Sequence, residues 1–167
     1  MTAQPMAILE NTRRPLWRRW LADPVLAQLR QGITPEKIAF TLALGFALSI
    51  FPILGSTTLL CALAGVLCRL NQPIIQLVNY LAYPVQIALL IPFYRAGESI
   101  FHRPHVPLSI PLFFERIHAD FGQFLKDFGL IALQGIVVWM LVAPLLVAAI
   151  YFSSRAPLRT AAARIRH

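Results

Sequence analysis

The sequence predicts an all-α integral membrane fold: a re-entrant or proline-broken helical hairpin followed by two transmembrane helices, with amphipathic helices at the interface. Three observations predict it. Of 167 residues, 57% are hydrophobic and only 13% charged. With a mean hydropathy of +0.65, a soluble fold of this size would lack the polar material to cover its core. Three stretches carry no charge, residues 38–68, 70–94 and 128–154, and each exceeds the roughly 20 residues that cross a bilayer of about 30 Å. The first is interrupted at its centre by a proline and a glycine.

Fifteen Lys and Arg against seven Asp and Glu give a net charge of +8. Cations flanking long apolar runs imply a lipid bilayer with anionic headgroups as partner, not nucleic acid, whose readers need polar faces throughout. Residues 1–32 form a basic amphipathic segment: Trp17, Trp20 and Leu21 lie beside Arg13, Arg14, Arg18 and Arg19, as in a helix at headgroup level. No signal-peptide core follows these arginines, so no cleaved leader is expected. Asp23 and Pro24 read as N-cap and first position of a short helix, and Thr34 and Pro35 repeat that signal before the first apolar run. The membrane domain is placed at 33–155 and a basic cytoplasmic tail at 156–167.

As one helix the first run, 38–68, would be about 46 Å long, too long for the hydrocarbon layer without severe tilt. Its centre reads Ser49-Ile50-Phe51-Pro52-Ile53-Leu54-Gly55-Ser56-Thr57. Pro52 removes a backbone donor, Gly55 permits a turn, and Ser56 is placed to cap a second helix. Two arms of about 13 residues result, each near 20 Å and too short to span. Matching small-residue stripes, Thr41/Gly45/Ser49 and Thr57/Cys61/Gly65, let the arms pack closely. A single proline-kinked span is the other arrangement the sequence allows. Cys61 and Cys68 fall about 10 Å apart along a helix, beyond disulfide reach.

Charge balance orients the chain. The flank through Lys37 holds six cations and three anions, and Arg155, Arg159, Arg164 and Arg166 close the chain without an acid, so both termini are expected in the cytoplasm. Residues 95–127 balance four against four, which suits the far side. Two true spans plus a hairpin entering and leaving on the cytoplasmic side satisfy this and put Arg69 inside. Were the second run re-entrant instead, Arg69 would lie outside. Between the second and third runs, an amphipathic helix over about 111–127 carries Phe113, Ile117, Phe121, Phe124 and Phe128 on one face.

The second run holds Gln76, Asn79, Tyr83 and Gln86 on one helical face, interrupted at Pro84. Amides facing lipid are costly, so this stripe must face protein or a cavity. It either lines a site for a headgroup, small solute or water, or bonds helices to one another. Together with Pro52, Gly55, Ser56, Thr57 and Pro84 it forms the candidate polar cavity or hairpin site. Catalytic, cofactor and metal signals are poor. His102 and His105 make a His-x-x-His pair, with His118 further on, but no Cys or carboxylate stands at ligand spacing. No nucleophile elbow or phosphate loop is present, so no enzyme and no cofactor are expected. Glu98 lies three residues after Arg95, the spacing of a boundary salt bridge.

The stretches Gly32-Ile33-Thr34-Pro35-Glu36-Lys37-Ile38-Ala39, Gly45-Phe46-Ala47, Phe51-Pro52-Ile53-Leu54-Gly55-Ser56-Thr57-Thr58 and Arg69-Leu70-Asn71-Gln72-Pro73 together resemble the bacterial membrane family called domain of unknown function 2062. The resemblance covers about Leu26 to Phe152. Where that family usually shows Asn-Pro-x-Thr, this chain has Tyr83-Pro84-Val85-Gln86: the proline stays and both polar residues differ. The resemblance implies a multi-pass bacterial inner-membrane protein without an assigned activity, and relatives joined to glycosyltransferase-like modules point towards envelope chemistry. Two functions stay open: a small transport or lipid-handling module with a polar site between broken helices, or a non-transporting scaffold or assembly subunit that joins a membrane partner or its own copies.

Overall fold

The computed structural model describes residues 33–102 and 121–166. Within them lie four α-helices and no strand: α1 (Pro35–Ser49), α2 (Thr57–Leu67), α3 (Gln72–Ile100) and α4 (Phe121–Arg166). The expected interfacial helix within residues 1–32 and the first half of the amphipathic segment near 111–127 fall outside the described residues.

The helix starts follow from local chemistry. Thr34 caps α1, its hydroxyl accepting from the Lys37 N–H at 3.4 Å, with Pro35 in the first turn. Asn71 caps α3 the same way, accepting from the Ile74 N–H at 3.1 Å ahead of Pro73. Such caps contribute about 1 kcal/mol each. Between α2 and α3 the chain turns in a Schellman motif: the Arg69 N–H bonds to the Val66 carbonyl and the Leu70 N–H to the Gly65 carbonyl. Arg69 holds the left-handed conformation (φ 50°) where glycine is commonest.

The first apolar run is two helices, of 15 and 11 residues rather than two equal arms. They double back on each other. Cys61 Sγ lies 3.9 Å from the Gly45 carbonyl and 4.0 Å from Ser49 Oγ, whereas 16 residues of continuous helix would separate Cys61 from Gly45 by about 24 Å. The small-residue stripes are buried as expected, and they meet where Gly45 and Ser49 face Cys61. Gly65 instead faces the Gln72 side chain, which would overlap any Cβ there, and the Thr41 hydroxyl bonds back to the Lys37 carbonyl.

α3 runs without interruption through Pro84 and Pro92, and α4 through Pro144 and Pro157. The expected interruption at Pro84 is absent because proline by itself removes one bond per helix. The nearest following glycine in α3 is Gly97, 13 residues on, so nothing lets the backbone reverse. α4 also extends beyond both expected ends of the third run, taking in residues 121–127 and the basic tail. Leu158, Ala161 and Ala162 of that tail pack against Ile38, Ile74 and Val78.

α1 lies at the centre of the bundle and packs on the other three helices. Its Ile38 joins Ile74 and Val78, its Ile50 joins Phe93 and Val138, and its Phe40, Leu44 and Leu48 cover Cys61, Leu70 and Ile75. These contacts fix directions: α1 and α3 run the same way, α2 and α4 the opposite way. One end of the bundle therefore carries the start of α1, the α2–α3 turn with Arg69, and the end of α4. There Arg159 pairs with Glu36 at 2.6 Å. At the opposite end α3 and α4 meet so closely at Gly97 that a Cβ would stand 2.9 Å from the Gln134 backbone.

Candidate functional site

The break between α1 and α2 is the structural centre of the chain. Gly55 adopts φ +84° with nothing within 4 Å of a Cβ built on it, so its role is conformational: the left-handed region is open to glycine at little cost. Pro52 is fully buried. Ser56 occupies the N-cap position of α2 but its hydroxyl makes no cap bond. It donates instead to the Ile53 carbonyl at 2.8 Å, tightening the turn.

A broken helix leaves carbonyls without partners, and in an apolar setting each needs one. Side chains of the two long helices supply them. Gln86 Nε2 donates to the Phe51 carbonyl at 2.9 Å and reaches that of Ile53 at 3.4 Å. The Tyr94 hydroxyl donates to the Pro52 carbonyl at 2.6 Å, and Trp139 Nε1 to the Ala47 carbonyl at 2.8 Å. The Trp139 ring also meets Phe51 edge-on, centroids 4.9 Å apart. Gln86 is the middle residue of α3 and only 1% exposed, which sets the hairpin tip beside the midpoint of that helix.

The predicted amide stripe is thus engaged with the hairpin. Gln76 Nε2 donates to the Thr58 carbonyl and Asn79 Nδ2 to the Thr58 hydroxyl, each at 3.1 Å. Gln72, not singled out from sequence, extends the stripe to the Ala62 carbonyl at 2.9 Å. Thr57 is buried behind them. Tyr83 and Pro84 sit on the exposed side of α3, Tyr83 at 51%. Tyr94 and Trp139 were missed too, although a signal existed: a phenol or indole within an uncharged run needs an acceptor when buried.

The space beside the hairpin is apolar. A cavity of about 300 Å³ is lined by Leu42 and Phe46 of α1, Val78, Leu81, Ala82 and Val85 of α3, and Ile150 of α4. No amide of the stripe lines it.

Charge concentrates at one end. Lys37, Arg69, Arg155, Arg159 and Arg164 lie there with Glu36, whose carboxyl is held below the usual carboxylate range, chiefly by its hydrogen bond to Arg159. Arg155 stacks over the Tyr151 ring at 5.9 Å. At the other end Arg95 is tied to buried Glu98 at 2.9 Å, the expected i,i+3 pair. His102 is exposed, while His105 and His118 lie outside the described residues. Among the described residues no group of three His, Cys, Asp or Glu side chains converges on a metal-sized site. Cys61 and Cys68 are both free thiols.

A family model described as an uncharacterized protein conserved in bacteria, DUF2062, matches residues 18–167. Neither a curated protein nor a solved structure matches the chain.

Proposed function

The chain belongs to the DUF2062 family of uncharacterized bacterial proteins, and we propose that it is an integral inner-membrane protein that handles lipid. In this reading α3 and α4 cross the bilayer, and α1 and α2 enter and leave as a re-entrant hairpin from the cytoplasmic side. Three features support the membrane. Both α3 and α4 are long enough to span and hold an apolar window of 18 residues. Only 33% and 22% of those windows is buried in the bundle, whereas a soluble protein hides its core helices. The break is satisfied by protein donors, the condition for non-helical backbone at membrane depth. Arg69 lies at the same end as Arg155, Arg159 and Arg164, as a cytoplasmic base requires.

The lipid-handling assignment rests on one observation: the stripe amides are engaged with the hairpin, and the open cavity beside it is apolar. A conduit for hydrophilic solutes needs the reverse. In this reading the module is non-enzymatic and its partner is the bilayer. The scaffold reading is favoured by a separate feature, the exposed apolar row Leu59, Leu63, Val66 and Leu67 on α2, a surface for a membrane partner or a second copy. Native mass spectrometry of protein released from membranes in lipid nanodiscs separates the two. Retained lipid in fixed stoichiometry on a monomer supports lipid handling; a lipid-free oligomer supports the scaffold.

A further inference from the structure

We propose that the cavity between α1, α3 and α4 binds one acyl chain of a phospholipid from the cytoplasmic leaflet. This rests on the membrane reading above and adds to it a defined site and ligand.

Depth along the helices supports the assignment. Glu36 and Arg159, paired across α1 and α4, mark a common level at the charged end. At about 1.5 Å per residue, Leu42 and Phe46 lie roughly 9 and 15 Å above that level on α1, and Ile150 roughly 14 Å above it on α4. Val78 of α3 packs in one cluster with Leu42 and Phe46. The cavity walls on α1 and α4 thus lie within the half-thickness of about 15 Å that one leaflet's chains occupy. The cavity ends at the height of Gln86, where the bonds to the hairpin tip begin.

The chemistry of the walls agrees. Every lining residue is apolar, so a headgroup, sugar or ion would lose its hydration there without compensation. The cavity is open at α3: Leu81 and Val85 are lining residues and are 46% and 39% exposed. A chain can therefore slide in from the surrounding lipid while its phosphate stays at the level of the cationic end. A volume of about 300 Å³ is too small for a second helix, whose diameter with side chains is about 10 Å. Charge selects a phospholipid over a neutral oil, because the end from which the depth is measured carries Lys37, Arg69, Arg155, Arg159 and Arg164.

The test uses the full-length protein in nanodiscs of phosphatidylethanolamine and phosphatidylglycerol doped with a phospholipid carrying a diazirine on one acyl chain. After photolysis, peptide mapping compares the cavity residues with Leu145 and Phe152 of α4, which are at least 66% exposed and stand outside the cavity. The site predicts labelling of Leu81, Ala82 and Val85 at least fivefold above those controls. Ala82→Phe, which fills the cavity, should remove that excess, and so should Leu81→Trp at its exposed mouth, which spares the buried core if Ala82→Phe fails to fold. Labelling equal at cavity and control residues overturns the site and leaves the membrane reading standing. Labelling absent everywhere overturns the membrane reading itself. Excess labelling from a diazirine fatty acid but not from the phospholipid also overturns the proposal.

Discussion

Pro52 and Pro84 both stand inside uncharged apolar stretches, and the chain treats them in opposite ways. At Pro52 the helix ends, the backbone reverses and a second helix runs back; at Pro84 the helix continues for another 16 residues. Each proline lacks the same N–H. The differences lie around them. Three residues after Pro52, Gly55 enters the left-handed region, and Gln86, Tyr94 and Trp139 donate to carbonyls around the turn. Pro84 has no nearby glycine, the next in α3 being Gly97, and the helix simply resumes beyond it. A proline marks a possible break, and a glycine with external donors makes it one.

The comparison is open to attack from both sides. The largest effect is expected from Gln86→Leu, which leaves the buried Phe51 carbonyl without its donor and should destabilise the bundle by about 2 kcal/mol. In a Cys68→Ser background, loosening would appear as faster thiol labelling of Cys61, which is fully buried in the intact hairpin; an unchanged rate would show that Gln86 does not hold the tip. Gly55→Val should follow at about 1–2 kcal/mol, the cost of a left-handed L-residue, read from the thermal midpoint in detergent. Because no atom lies near Gly55, a comparable loss in Gly55→Ala would assign the effect to backbone conformation rather than crowding. Pro84→Ala should do the reverse. It returns an N–H to the Tyr80 carbonyl and is expected to stabilise α3 by up to about 1 kcal/mol, with no change in Cys61 labelling.

The smallest effect concerns the ion pair between Glu36 and Arg159 that ties α1 to α4. Since the folded Glu36 carboxyl titrates below its ordinary value, its contribution is present above the usual carboxylate range and fades as pH falls through the folded value. Glu36→Gln should lower the thermal midpoint slightly at pH 7, and the gap from the parent protein should close towards pH 3. A gap that persists there would mean that packing, not charge, makes the tie.

Much of this was legible in the sequence where one local rule decides. Thr34-Pro35 announces the start of α1, and Pro52 with Gly55 announces the turn, because caps and left-handed residues depend on a few neighbouring atoms. The amide spacing Gln76, Asn79 and Gln86 was visible for the same reason, but not its partners. Whether those amides line a space or grip the hairpin depends on residues 18 to 35 positions away, and only the packed bundle decides it. The interruption expected at Pro84 is absent because the next glycine in α3 comes only at Gly97, so nothing near the proline lets the backbone reverse. The tail carries a further signal: Leu158, Ala161 and Ala162 lie at three- and four-residue spacing among its arginines and carry α4 onward as a packed helix.

The most direct test is cysteine accessibility in intact cells at three positions, using a membrane-impermeant thiol reagent in a background with Cys61 and Cys68 replaced by Ser. The account predicts that Leu54→Cys at the hairpin tip is unreactive from either side. Arg69→Cys should react only after the cytoplasmic face is opened, together with Arg164→Cys, and His102→Cys should react from outside. Reaction of Arg69→Cys from the outside, with Arg164→Cys still cytoplasmic, would mean that the first apolar stretch crosses the bilayer, and the account would be wrong.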